Sequence, residues 1–130
     1  MIVVDASVVI EVLLNTPSGT QIAERLFNPD ETLHAPHLLD VEIAQVLRRY
    51  TRTGELDPDR GIQALKDLVD FPLTRYPHDL FLLRIWELRH NVTAYDAAYL
   101  ALAEALVAPL LTRDAALASA PGNRARIELI

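Results

Sequence analysis

The chain has 130 residues, a formal net charge of −6 and a pI near 5.1. That length makes one domain, 1–130, and a composition that is 51% hydrophobic and 23% charged excludes a disordered chain. The absence of cysteine excludes disulfide scaffolds, thiolate zinc sites and cysteine nucleophiles, and no apolar run approaches the roughly 18–20 residues of a membrane span.

Ile2–Asp5 is a short β-branched run ending on an acid and reads as a buried strand. Ala6–Leu14 reads as a helix, and its apolar start lacks the basic flank of a secretory signal, so a soluble cytoplasmic protein is expected. After the turn residues 15–19, Thr20–Phe27 forms a helix with Ile22, Ala23, Leu26 and Phe27 on one face. Thr32–Ala35 is a second strand stopped by Pro36. Leu38–Thr53 is a longer helix with Leu39, Ile43, Val46, Leu47 and Tyr50 at helical period, ended by Gly54.

Asp57 is an N-cap with Pro58 at the first helical position, and the helix it opens runs to about Val69. Pro72–Tyr76 is the third strand. About Asp79–His90 is a helix with Leu80, Leu83, Ile85, Trp86 and Leu88 apolar. Thr93 caps an alanine- and leucine-rich helix to about Val107. Pro109–Thr112 is the fourth strand, Ala115–Ala120 a short helix and Ala125–Ile130 a last strand. Alternating strands and helices predict a parallel sheet of about five strands covered on both faces.

Ligands of open parallel sheets bind outside the carboxyl ends of the strands. The first strand ends in Asp5, followed by Ser7. The helix after the second begins with Asp40 and Glu42. The fourth ends in Thr112-Arg113-Asp114, and the helix leading into it starts at Thr93 with Asp96 in its first turn. Each acid has a plain structural use. Asp5 and Asp114 can cap helices, Asp96 fits a capping box, and Glu42 complements a helix dipole. Convergence favours a further use, because four carboxylates at one edge repel and a divalent cation offsets that repulsion. Hard Mg²⁺ or Mn²⁺ suits an all-oxygen site, and such an ion supports phosphodiester hydrolysis by activating water and stabilising the departing oxygen.

Other chemistries lack their motifs. There is no G-x-G-x-x-G, no phosphate-binding loop ending in G-K-S/T and no G-x-S-x-G. The four histidines have no i, i+4 pair, although His34 and His37 could lie near the acidic edge. The acidic balance argues against nucleic acid. The basic residues, however, are eleven arginines and the single Lys66, a bias toward planar contacts to phosphate.

The opening Ile2-Val-Val-Asp5-Ala-Ser7, Leu39-Asp-Val-Glu42-Ile-Ala, Tyr95-Asp96-Ala-Ala-Tyr99-Leu-Ala-Leu-Ala and Leu111-Thr112-Arg-Asp114 stand in order across the whole chain. In these segments the sequence resembles the PIN-domain nucleases, most closely the VapC-like toxins of toxin–antitoxin pairs. The resemblance implies a three-layer α/β/α, Rossmann-like fold and a magnesium-dependent endoribonuclease with Asp5, Glu42, Asp96 and Asp114 as its acidic tetrad. It implies Ser7 and Thr112 as hydroxyls that orient those acids. Ala116 and Leu117 stand where some relatives carry a further carboxylate, so one tightly held ion is expected. The implied partners are RNA, a small antitoxin and a second copy of the chain, joined in a toxin–antitoxin hetero-oligomer. The helices at Ile22–Phe27 and Leu38–Tyr50 are candidates for partner surface.

Seven residues separate Glu42 from Arg49, so they lie about 20° apart around a straight helix. Arg49 is therefore a candidate phosphate contact, with Arg48, Arg52 and Arg113. Asp40, about 200° from Glu42 on that helix, is expected to cap it instead. Two other readings stand beside the nuclease. One is a phosphoryl-transfer or receiver-like domain using Asp5, although position 7 is serine and Lys66 falls within a helix. The other is a non-catalytic binding module on the same fold.

Overall fold

Residues 2–4 are all β-branched, a composition that suits a strand with both faces in an apolar interior. In the computed structural model, which describes residues 1–130, they form β1 (Ile2–Val4), fully buried in the middle of a five-stranded sheet. The other strands are β2 (Leu33–Pro36), β3 (Leu73–Tyr76), β4 (Leu110–Thr112) and β5 (Ile127–Leu129). Their order is β3-β2-β1-β4-β5 and every pair is parallel, with Val3 opposite His34 on one side and Leu110 on the other.

Seven helices cover the sheet: α1 (Ala6–Leu13), α2 (Gly19–Leu26), α3 (Leu38–Arg52), α4 (Pro58–Val69), α5 (Leu82–Glu87), α6 (Ala94–Leu106) and α7 (Ala115–Ala118). One layer is built around α1, which packs on α2, α3 and α4. In the other layer α6 lies across β1, β2 and β4, with α5 beside it. Seven consecutive residues of α6, Ala97–Ala103, are buried. The four alanines of this run let the helix approach its neighbours closely, while Tyr99, Leu100 and Leu102 fill the core, and burial on every side accounts for the lack of a polar face. The expected three-layer α/β/α architecture is present.

Most expected elements occur within one or two residues of their predicted bounds. Asp5 is not the last strand residue but the N-cap of α1, its side chain accepting the Val8 N–H. The helix expected over Asp79–His90 is shorter and divided, with a 3-10 turn at His78–Phe81 before α5. This run carries two apolar stripes. Phe81, Ile85 and Leu88 recur at i, i+4 and i+7 and turn to the core, while Leu80, Leu83 and Trp86 face outward. The His78 ring accepts the Leu38 N–H at 2.9 Å, so the turn that opens this run is tied to the start of α3.

Along the sheet, β1 steps one way to β2 and β3, and the chain then returns to the other side of β1 for β4 and β5. The reversal between β1 and β4 is a topological switch point, where the carboxyl ends of the two strands open a crevice. The first turns of α3 and α6 stand at the same edge, because α3 follows β2 directly and α6 runs back toward the start of β4.

Candidate active site

At the end of β1 the chain must turn into a helix, and Asp5 makes that turn by capping α1. The same carboxylate is buried, and burial would be costly without partners. Two hydroxyls supply them. Ser7 Oγ donates to Oδ1 at 2.6 Å, and Thr112 Oγ1 donates to Oδ2. Each hydroxyl also accepts a backbone N–H from the segment after β4, Ser7 from Arg113 at 2.9 Å and Thr112 from Asp114 at 3.0 Å. The two short side chains thus stitch the end of β1 to the end of β4 across the switch point and orient Asp5 between them.

The other three acids arrive on separate elements. Asp114 caps α7, with Oδ1 accepting from Ala116 at 2.9 Å and Leu117 at 3.3 Å. Asp96 sits in the first turn of α6, where Thr93 is the cap and accepts the Asp96 N–H at 3.2 Å. Glu42 stands one turn into α3 and accepts a hydrogen bond from the Tyr99 hydroxyl, which reaches across from α6. Tyr99 belongs to the Tyr95-Asp96-Ala-Ala-Tyr99 segment, and its contact with Glu42 is visible only in the fold. Its spacing from Asp96, i and i+3 on one helix, is the signal that could have marked it as a partner of the site.

Electrostatics links these acids. Burial pushes Asp5 above the ordinary carboxylate range, against the opposing bonds from Ser7, Thr112 and the Val8 N–H. Glu42 is raised by burial and by the charges of Asp5 and Asp96, with the Tyr99 bond opposing. Asp96 is raised by burial and by the charges of Asp114 and Asp5, with Thr93 opposing. The Tyr99 phenol is itself driven up by burial and by Glu42, so it keeps its proton. None of the four acids is in an ion pair.

These side chains do not form a closed cage, since no three histidine, aspartate or glutamate groups converge at shared ligand distance. Their chemistry nevertheless fits a hard divalent cation. The donors are all carboxylate oxygens, the ionised forms of Asp5, Glu42 and Asp96 are disfavoured by burial, those of Glu42 and Asp96 also by neighbouring acids, and no arginine or lysine forms an ion pair with them. An ion that keeps several waters needs only one or two direct carboxylates.

Arg48, Arg49 and Arg52 make no ion pairs and line one surface cavity with Gln45 and Thr53. Glu42, Gln45, Arg49 and Arg52 fall at i, i+3, i+7 and i+10, a single stripe leading away from the acids. Arg113 faces elsewhere, toward Glu11 at 3.9 Å. Asp40 does not cap α3 as expected; it pairs with Arg75 on β3 at 2.8 Å. His34 lies buried between Thr32 at 2.8 Å and the Tyr76 hydroxyl at 2.7 Å, a polar core group with both ring nitrogens in use. The His37 ring meets the His78 ring edge-on. Of the two helices expected to offer partner surface, Ile22, Leu26, Leu39, Ile43 and Leu47 are buried, while Phe27 and Val41 are exposed.

Comparison with known proteins places this geometry in context. The PIN domain family model matches residues 2–123. Ribonuclease VapC12 of Mycobacterium tuberculosis is 39% identical over 130 residues, spanning 100% of this chain and 99% of the relative. The crystal structure of PAE2754 from Pyrobaculum aerophilum superposes with a TM-score of 0.70 at 26% identity, covering 97% of this chain and 81% of that one. VapBC2 from Rickettsia felis, crystallised bound to a DNA fragment from its promoter, shares the fold with a TM-score of 0.70 at 14% identity, covering 99% and 98%.

Proposed function

The chain belongs to the PIN domain family, and on that premise we propose that it is the ribonuclease toxin of a toxin–antitoxin pair, an endonuclease that hydrolyses RNA phosphodiester bonds with Mg²⁺, or Mn²⁺ in its place. The likeness to a protein named a ribonuclease over the full length of the chain supports the reaction class. The observation that carries the chemistry is the group of Asp5, Glu42, Asp96 and Asp114, in which burial raises Asp5, Glu42 and Asp96, neighbouring acids raise Glu42 and Asp96 further, and none of the four has a cationic side chain as ion-pair partner. These four are the proposed catalytic and metal-holding residues. When bound, the ion supplies Lewis acidity toward water and toward the departing oxygen.

The chain's own residues do the rest. Ser7 and Thr112 hold both oxygens of Asp5 by donating to them, which fixes the direction in which its remaining lone pairs point. Tyr99 holds Glu42 by one oxygen and leaves the other for the site. Burial and neighbouring acids make Glu42 and Asp96 more basic than ordinary carboxylates, which suits either to accept a proton from water. Arg49, with Arg48 and Arg52 behind it, is placed to hold RNA phosphates along α3.

An antitoxin partner is proposed from the VapBC2 likeness, and a homodimer from the exposed Leu80, Leu83 and Trp86 stripe, an apolar surface of the kind that marks protein contacts. A cytoplasmic setting accords with both partners. No helix is long and apolar enough to cross a membrane. The receiver-like alternative gains nothing, because Lys66 lies on α4 rather than at a strand end.

The deciding experiment is RNA cleavage by the purified protein with Mg²⁺, with Mn²⁺ and with chelator, beside the Asp5→Asn and Asp96→Asn variants. Cleavage that requires the ion and is lost in both variants is expected. Full activity in chelator, or in both variants, overturns the proposal.

A further inference from the structure

Two tyrosines of α6 point to opposite fates. Tyr99 is buried and spends its hydroxyl on Glu42, whereas Tyr95, one turn earlier and next to Asp96, is 63% exposed. An exposed tyrosine alone means little, but Tyr95 lines a cleft of about 440 Å³ whose other wall is α3. That wall presents Val41, itself 69% exposed, together with Glu42, Gln45 and Arg49. One cleft therefore combines a flat aromatic face, an aliphatic face, an uncharged amide, an unpaired guanidinium and one of the four acids.

We propose that Tyr95 is a stacking platform for one unpaired base of the RNA, held against Val41 beside the bond to be cut, with Gln45 reading the edge of that base. The inference rests on the RNA-cleaving reading and deepens it by naming the side chains that receive the base next to the cut. Bases in single strands are available to stack on aromatic side chains, and a stacked base adds binding that tolerates sequence. The amide of Gln45 offers both a donor and an acceptor, which is what distinguishing one base edge from another needs. Charge favours a polyanion over a neutral or basic protein segment, because Arg49 continues the cleft into the cluster with Arg48 and Arg52, and the exposed aromatic face beside an amide suits a base better than a carboxylate side chain. A duplex has no free base to place in the cleft, so paired RNA should be cut poorly.

The test uses the full chain and a single-stranded RNA that the wild type cleaves, with 2-aminopurine placed in turn at each position flanking the cut. In the wild type one position is expected to lose fluorescence on binding. Tyr95→Ala should restore that signal and raise KM about tenfold with kcat within about twofold, the effect of losing one stacked base. Tyr95→Trp should keep both the quench and the KM, and Gln45→Ala should flatten preference for the stacked base. Circular dichroism melting of each variant checks the fold. Wild-type cleavage with Tyr95→Ala unchanged in KM and quench overturns the platform alone and leaves the cleft to a protein partner. Equal damage from Trp and Ala also overturns it, since that is the behaviour of a packing residue. A wild type that cleaves no RNA overturns the nuclease reading itself.

Discussion

Thr112 and Asp5 are 107 residues apart in the chain, yet the hydroxyl of one donates to the buried carboxylate of the other while accepting the N–H of Asp114. One small side chain thus serves the oxygen of one acid and the backbone of another. Thr112→Val keeps the shape and removes both bonds, leaving an unpaired carboxylate oxygen and an unpaired N–H. A loss of about 1–3 kcal/mol in unfolding free energy is expected, read by urea titration. Thr112→Ser should recover most of it. Divalent-ion affinity, measured by calorimetry, should fall by about 10–100-fold in the valine variant.

The acids predict an unusual response to pH. Asp5, Glu42 and Asp96 titrate higher in the folded chain than in the unfolded one, so the folded state binds more protons between the two values. Stability therefore falls as pH rises through that interval. In chelator, the melting temperature should increase as pH is lowered through the raised values toward the ordinary carboxylate range. It should drop again in stronger acid, where Glu104 and Glu31, both held low by hydrogen-bonded cationic partners, become protonated. Asp96→Asn should raise the melting temperature at neutral pH and flatten the slope while abolishing cleavage. A lower melting temperature in that variant would mean that Asp96 serves chiefly to support the start of α6.

Arg49 and Arg52 should act on RNA affinity without regard to sequence. Each phosphate contact on a single strand contributes a slope of roughly −0.7 to the logarithm of affinity against the logarithm of salt. Replacing both with alanine should weaken binding at low salt and reduce the slope by about 1.4, measured by fluorescence anisotropy. Arg113→Ala, at a residue that faces Glu11, should leave the slope unchanged.

Val107 ends α6 in the left-handed region at φ 51°, fully at the surface. A β-branched residue is poorly suited to that conformation, and glycine is the usual occupant of such helix ends. Val107→Gly loses little packing and should stabilise the chain by roughly 1 kcal/mol, seen as a raised denaturation midpoint.

The sequence revealed the elements that obey one simple period. The β-branched run of β1, the stripe of α3 and the Asp57-Pro58 start of α4 all formed near their predicted bounds. It misled where one segment carried two patterns. In residues 80–88 the apolar side chains of Leu80, Leu83 and Trp86 lie outside, and the core stripe begins at Phe81. The site's acids were legible because each ends a strand or opens a helix at one edge. What tied them together was not. The links from Ser7 to Arg113 and from Tyr99 to Glu42 span 106 and 57 residues, and no local pattern encodes such pairings. Asp40 shows the same limit, since a first-turn acid looks like a cap until Arg75 on a neighbouring strand claims it.

The separation of the α3 arginines from the acids has a kinetic consequence. At long range a strand of RNA meets a chain of net charge −6 and is repelled; only within a screening length of about 8 Å at physiological salt does it feel the guanidinium stripe as a separate object. Added salt should therefore speed the first encounter while loosening the grip that follows. Turnover on dilute RNA should pass through a maximum with ionic strength, in contrast to the steady decline shown by proteins steered to nucleic acid by a basic surface.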